Sequence, residues 1–276
     1  MGSITTKLTQ SDLNDLEVCD GKHGRVDILI SLYRYEEFKS VLVKSISQNA
    51  CELNTFHVSL VESNEIEAKV LIDLIPDRVN LSLEIQPLRV GLYETWNSAI
   101  KAGNSELITN LNADDLRRPG SICAMAKEFN SNGKAEICYG NFVILDKIFF
   151  KSWQSLDLSN RKSQLGDFSL FDLVYRGNNK PHCAPMWKRS IHADLGYFNE
   201  NLESSGDSDL WLRALVKGKS FHYTPMVTVA YFDNPQGLSS SLSSRGFREW
   251  NNILNNFVEK YPEFNHSQST QNARVN

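Results

Sequence analysis

Apolar runs and helical stripes alternate along the first half of the chain. Val26 to Leu32 (Val-Asp-Ile-Leu-Ile-Ser-Leu) reads as a buried strand. Glu36 to Asn49 follows as an amphipathic helix, with Phe38, Val41, Leu42 and Ile46 on one face. A second strand over Phe56 to Val61 stops at Glu62-Ser63-Asn64, and a helix from Glu65 to Ile75 is closed by Pro76. Leu81 to Ile85 is a short third strand. Gly91 opens a helix to Ala102 with Leu92, Trp96, Ala99 and Ile100 on its buried stripe. The fourth strand, Glu106 to Leu111, runs into Asn112-Ala113-Asp114-Asp115. Pro119 then suits the first turn of a helix whose apolar face is Ile122, Met125, Ala126 and Phe129.

Strands separated by single helices are mostly parallel, because each helix is a crossover. The pattern therefore predicts an α/β fold with a mostly parallel, Rossmann-like sheet flanked by helices. All strand C-termini then share one edge, which collects Ser31 and Tyr33, Glu62 and Ser63, and Asp114 and Asp115. In open α/β sheets that edge binds ligands. Two adjacent acids there are costly unless they hold a cation or do chemistry. The plain alternative is an Asp-rich turn that caps the next helix.

Past residue 135 the pattern loosens. Glu136 to Leu145 reads as a strand, and residues 146–180 are polar and irregular. His182 to Trp187 is strand-like, Asp207 to Val216 is a helix with Leu210, Trp211 and Leu215 inward, and Pro225 to Tyr231 is a late strand. A Ser/Gly-rich loop over residues 234–246 has the composition of a mobile lid. Phe247 to Tyr261 is a closing helix. Residues 1–24 lack periodicity and read as a loose N-terminal arm, and residues 263–276 as a flexible tail.

Composition adds exclusions. The 276 residues carry 29 basic and 33 acidic side chains, a net charge of −4, which argues against a nucleic-acid partner held by phosphate contacts. No segment resembles a secretory leader and no apolar run is long enough to span a bilayer, so a cytoplasmic protein is expected, with work at the inner face of the membrane left open. The five cysteines (Cys19, Cys51, Cys123, Cys138, Cys183) are scattered and include no C-x-x-C pair. That excludes a zinc ribbon and argues against a disulfide framework. All five read as buried small hydrophobes.

Several short segments, in order, carry a resemblance. Ile30-Ser31-Leu32-Tyr33-Arg34 is similar to a strand running into a Thr-Tyr-Asn-type turn. Val61-Glu62-Ser63-Asn64 stands where Val-Asp-Asp-Gly-Ser is usual, and Gly91 and Asn97 fit a Gly-x5-Asn pattern. Leu111-Asn112-Ala113-Asp114-Asp115 looks like Leu-Asp-Ala-Asp-Asp. Gly196-Tyr197-Phe198-Asn199-Glu200 and Gly206-Asp207-Ser208-Asp209-Leu210-Trp211-Leu212-Arg213 resemble Gly-x-Phe-Asp-Glu and Glu-Asp-x-Asp/Glu-Leu-Trp-x-Arg. Together, over about residues 25 to 245, they resemble family 2 glycosyltransferases of the GT-A fold.

The resemblance implies one domain over 25–262. Residues 25–135 would form its nucleotide-sugar-binding half and residues 136–262 its acceptor-binding half. It implies an inverting, metal-assisted transfer of a sugar from a nucleotide-diphosphate donor, UDP-linked above all, to a hydroxyl of a glycan or lipid-linked glycan, in a setting such as bacterial polysaccharide assembly. Asp114 is the expected ligand of Mn²⁺ or Mg²⁺, with Asp115 its partner or a residue that orients the sugar. Asn112 departs from the pattern, standing where the family has a carboxylate. Its amide can bind a hydroxyl but adds no charge. Asp207 is the expected base, with Asp209 as the alternative or as an acceptor-orienting group. Glu62, Ser31, Tyr33, Arg89 and Asn97 are expected around the donor, and Arg245 in the lid over its diphosphate. His182 would meet acceptor or diphosphate, Trp187 would be core or a platform for a sugar ring, and Arg213 would be exposed or turned to phosphate.

Two other classes fit parts of the pattern. A sugar-phosphate nucleotidyltransferase would carry a Gly-rich loop after the first strand, and Leu32-Tyr33-Arg34-Tyr35-Glu36 has no glycine. A degenerate nucleotide- or carbohydrate-binding module is favoured only by Asn112 and Glu62, and retention of Asp114 and Asp207 argues against it.

Overall fold

The computed structural model describes residues 4–14, 16, 19–145, 152–157, 159–232 and 245–264. The first half contains β1 (Ile4–Lys7), α1 (Gln10–Leu13), β2 (Val26–Leu32), α2 (Lys39–Gln48), β3 (Asn54–Val61) and α3 (Glu65–Ile72). It continues through β4 (Asn80–Gln86), α4 (Leu92–Ala102), β5 (Leu107–Asn110), β6 (Leu116–Arg117) and α5 (Ser121–Ser131). The second half holds β7 (Ile137–Leu145), β8 (Arg161–Gln164), α6 (Leu170–Arg176), β9 (Met186–Lys188), α7 (Ile191–Leu195), α8 (Gly206–Val216), β10 (Phe221–Phe232) and α9 (Arg245–Lys260).

Among the described residues ten strands make one sheet, ordered β1-β8-β7-β9-β5-β2-β3-β4, with β10 beside β7 and β6 beside β10. The expected parallel half is present: β4, β3, β2 and β5 run parallel, with Val26 opposite Asn54 on one side and Leu107 on the other. The second half is mixed. β9 is antiparallel to both β5 and β7, β8 and β1 are antiparallel additions, and β10 returns parallel to β7.

β2 is apolar on both faces because both faces are covered. Val26, Ile28, Ile30 and Leu32 pack with Leu42 and Ile46 of α2 and Ile122, Met125 and Phe129 of α5. Leu29 points the other way, into a cluster with Trp96 and Ile100 of α4 and Trp211 of α8. Each such side chain contributes roughly 1.5–3 kcal/mol on burial. The polar exception, Asp27, is 2 % exposed. It accepts from Ser105 Oγ at 2.7 Å and the Ser105 amide at 3.1 Å, pairs with Arg189, and lies 3.1 Å from His57 Nε2. A Cβ at Gly103 would fall 2.1 Å from the Asp27 carboxylate, so that glycine makes room for the network.

Two expectations are corrected. The N-terminal arm is not loose over its described length. Ile4–Lys7 is an edge strand on β8, Leu8 and Leu13 are buried with Trp153, and Arg118 donates to the carbonyls of Ser11 (2.9 Å) and Asn14 (2.6 Å). Nor are all five cysteines inert core residues. Cys19 and Cys51 form a disulfide, whereas Cys123, Cys138 and Cys183 are free and buried. The loop over residues 236–244 and the tail from 265 onward lie outside the described residues. No helix among the described residues is long and apolar enough to cross a membrane.

Candidate active site

β5 ends at Asn110, whose side-chain amide donates to Asn112 Oδ1 and to the Cys183 carbonyl, both at 3.2 Å. Asn112 in turn donates to Asp115 Oδ2 at 2.9 Å. Asp115 Oδ1 accepts from the Phe232 amide at 3.4 Å, and the residue is 1 % exposed. Both Asp115 oxygens are thus engaged inside the protein. Burial, and then the neighbouring Asp114 charge, push the Asp115 carboxyl well above the usual carboxylate range. The hydrogen bonds from Asn112 and the Phe232 amide, and then buried Arg117, partly offset them. Burial lowers the pKa of Arg117 to about 10, and its guanidinium donates to the Ala184 carbonyl at 3.2 Å.

Asp114 differs from its neighbour. It lines two pockets, and among the described residues no lysine or arginine pairs with it. Burial raises its carboxyl as well. One half-buried carboxylate opening on a cleft, without a protein cation, is the donor set that Mg²⁺ or Mn²⁺ takes alongside phosphate oxygens and water. Asp114 therefore fits the expected metal. Asp115, buried with both oxygens accepting from the protein, lines neither pocket.

The smaller pocket, about 210 Å³, is lined by Ser31, Tyr33, Tyr35 and Phe38. The larger, about 360 Å³, is lined by His182, Trp187, Asp207, Trp211 and Tyr231. Leu92, Trp96, Asn112 and Asp114 belong to both walls. Asp114 stands at their junction.

Asp207 reaches the larger pocket from the first turn of α8. Its Oδ2 accepts from Asn179 Nδ2 at 2.8 Å, and the same amide donates to Ser208 Oγ at 3.0 Å. Burial raises the Asp207 carboxyl to about 6, against the Ser208 amide and Asn179, which favour the ionised form. Tyr93 sets the start of the helix. Its hydroxyl donates to the Ser204 carbonyl at 2.8 Å and accepts from the Asp207 amide at 3.4 Å. A Cβ at residue 206 would lie 2.6 Å from the Tyr93 ring, so Gly206 makes room for that ring at the start of α8.

Of the other expected site residues, His182 and Trp187 line the larger pocket and the rest sit elsewhere. Asp209 pairs with Arg213 at 2.7 Å, and Arg213 also donates to the Tyr197 carbonyl at 3.0 Å, so both tie α8 to the 195–197 turn rather than line either pocket. Asn97 is buried. It donates to the Phe198 carbonyl and Glu200 Oε1, each at 2.9 Å, and accepts from the Phe198 amide at 3.1 Å. It positions the turn before α8 and contacts neither pocket. Glu62 is exposed with φ of 54°, a left-handed conformation at the end of β3, and lines neither pocket. Arg89 stacks its guanidinium 3.3 Å from the Tyr33 ring centroid. His182 stacks on Phe142 at 5.4 Å, and Trp187 is both core, at 1 % exposure, and pocket wall. Arg245 pairs with Glu203, itself on the wall of the larger pocket.

Tyr93, Asn179 and Arg117 are the residues that sequence reasoning missed. Only Asn179 carried a local signal, the turn-forming Gly177-Asn178-Asn179-Lys180-Pro181 run. The other two act through contacts distant in sequence.

No family model matches the sequence, and no curated protein matches it either. Solved structures do. S. aureus TarS superposes with a TM-score of 0.62 at 12% identity, over 83% of this chain and 39% of TarS. Residues 1–349 of TarS in complex with UDP give 0.60 at 13% identity, over 83% of this chain and 64% of that one. The mannosyltransferase PcManGT from Pyrobaculum calidifontis, in complex with GDP-Man and Mn²⁺, gives 0.55 at 14% identity, over 78% and 59%. The chain thus spans less than two thirds of the length of these proteins. The likeness establishes the fold, a GT-A-like mixed α/β domain.

Proposed function

We propose that the protein is an inverting glycosyltransferase that moves a sugar from a nucleotide-diphosphate donor to an acceptor hydroxyl. The observation that carries this reading is the junction of the two pockets at Asp114, with Ser31 and Tyr33 on one side and Asp207 on the other. The smaller pocket would take the nucleoside, with Ser31 as a polar contact and Tyr33, backed by Arg89, against the base. The fold's complexes with UDP and GDP-Man support a nucleotide sugar, and we favour a UDP-sugar. Asp114 would hold Mn²⁺ or Mg²⁺ against the diphosphate oxygens, where a divalent ion neutralises charge on the leaving group.

The larger pocket would hold the transferred sugar and the acceptor. Trp96, Trp187 and Trp211 form its apolar floor. Asp207, ionised above about pH 6, accepts the acceptor hydroxyl proton as the new glycosidic bond forms. The anomeric carbon–oxygen bond breaks in the same displacement, and its electron pair leaves with the nucleoside diphosphate. Attack from the side opposite the leaving group inverts the anomeric centre. Asn179 holds the Asp207 carboxylate in place through its 2.8 Å hydrogen bond. A glycan or lipid-linked glycan is the acceptor class we favour.

The test is a panel of nucleotide sugars, with and without Mn²⁺, followed by release of nucleoside diphosphate. The expected result is slow donor hydrolysis that Asp114→Ala abolishes. Pyrophosphate as product would make the protein a nucleotidyltransferase instead. Binding without turnover against a broad acceptor panel would reduce it to a binding module.

A further inference from the structure

We propose that Cys19, His23, Cys51 and Cys123 are the four ligands of a structural Zn²⁺ on the side of the sheet opposite the pockets. The cluster sits before β2, before β3 and in the first turn of α5, so it marks the N-terminal ends of the parallel strands. The ligand atoms of all four residues lie within 4.8 Å of one another. Around a tetrahedral zinc with Zn–S bonds of about 2.3 Å, neighbouring ligand atoms stand roughly 3.5–3.8 Å apart, a spacing the cluster can take once the Cys19–Cys51 bond is opened and its two sulfurs separate.

The Cys19–Cys51 disulfide accounts for two of the four groups and leaves His23 unexplained. His23 Nδ1 lies 2.8 Å from the Gly24 carbonyl, which can only accept, so Nδ1 carries the proton. Nε2 therefore presents a lone pair. It is 3.1 Å from Cys19 Sγ and 3.9 Å from Cys51 Sγ, in a residue only 7 % exposed. Disulfide sulfurs have no proton to offer that lone pair, whereas a cation between them would satisfy it. A histidine that donates from one nitrogen to a carbonyl and coordinates through the other is the usual arrangement of a zinc-bound imidazole.

Cys123 occupies the third position of α5, and Asn54 Nδ2 points at its sulfur from 3.8 Å. Lys127, one turn further along α5, pairs with Asp20 at 3.2 Å, and Asn130 donates to the Lys22 carbonyl at 2.8 Å. Residues 19–24 are thus already fastened to α5 beside the cluster. Four protein ligands close the coordination shell, which marks a structural rather than a catalytic ion. Metal binding requires the reduced chain. A thiol reductant opens the Cys19–Cys51 bond and is itself oxidised to a disulfide, and the cysteine ligands release their protons to solvent as the cation binds.

The experiment is metal analysis of the full chain, purified without chelator in the presence of a thiol reductant. One zinc per chain is expected. Cobalt added to the reduced, metal-stripped chain should give the sulfur-to-metal charge-transfer and intense d–d bands of a tetrahedral thiolate site. His23→Ala and Cys123→Ser should each lower zinc content and thermal midpoint. If either variant fails to fold, the cobalt spectrum of the unaltered chain decides. Failure of the reduced chain to bind zinc or cobalt would overturn the assignment, as would zinc retained in full by both variants. Neither outcome depends on glycosyl transfer.

Discussion

Asn112 donates its side-chain amide to Asp115 at 2.9 Å, and this bond rationalises the one departure from the acidic motif at the end of β5. An aspartate at 112 is an acceptor when ionised, and would set a second charge against a carboxylate already buried beside Asp114. In this chain the amide supplies a hydrogen bond that the buried acid needs. The expected outcome for Asn112→Asp is therefore a loss of stability of about 1–3 kcal/mol, the cost of leaving a buried group without its partner. Urea denaturation measures it. An unchanged or raised midpoint would show that Asn112 does not support Asp115.

Asp207 carries a pH prediction. Its carboxyl is raised by burial to about 6, and the reactive form is the ionised one. The specificity constant kcat/KM, which reports groups of the free enzyme, should climb with pH with a midpoint near 6 and level off above it. Asp207→Asn should lose about 10²–10⁴-fold in turnover while binding donor normally. The stability effect has the opposite sense. The folded pKa lies above the unfolded value of 3.8, so ionising Asp207 costs folding energy, and that cost appears as pH rises from 3.8 through about 6. Asp207→Asn should accordingly be no less stable than the parent at neutral pH. Full activity in this variant, with loss in Asp209→Asn, would move the base to Asp209 despite its pairing with Arg213.

Asp114 and Asp115 should separate experimentally. Asp114 opens on both pockets, whereas the Asp115 oxygens accept from Asn112 and the Phe232 amide. Asp114→Ala should fold normally and lose the Mn²⁺-dependent part of nucleoside-diphosphate affinity in calorimetry. Asp115→Ala should fail first in stability, because it strands the Asn112 and Phe232 amides. The reverse pattern would assign the metal to Asp115.

The parallel half of the sheet was legible because its signals are local. β2 to β5 and α2 to α5 are apolar periodicities within short windows, and the ends of β2 and β5 carry the polar residues that meet at the pockets. What was not legible depends on contacts distant in sequence. Asn97 reads as a donor-binding residue by its spacing from Gly91, yet it grips a turn about a hundred residues away, at Phe198. Asp209 and Arg213 stand four apart on one helix, a spacing that favours an ion pair, and that local rule outweighed the motif analogy. The arm has no periodicity of its own because a four-residue edge strand needs only backbone partners, supplied by β8. The cysteines lack a spacing signature because three separate segments bring them together.

The Asp27 network, remote from the pockets, tests the fold itself. Burial alone would raise the Asp27 carboxyl, but hydrogen bonds from His57 and Ser105 outweigh it and hold the group below its usual 3.8. A depressed carboxylate stabilises the folded state fully above the unfolded pKa. That stability is lost as pH falls below 3.8 through the lower folded value. Asp27→Ala removes the acceptor from Arg189, His57 and Ser105 at once and should cost about 3–5 kcal/mol at neutral pH, the range for removing one partner of a buried pair. The deficit relative to the parent should shrink on acidification below 3.8, because the parent then loses its own carboxylate. Denaturant curves across that range check both points. A deficit independent of pH would mean that Asp27 acts through packing and not through charge.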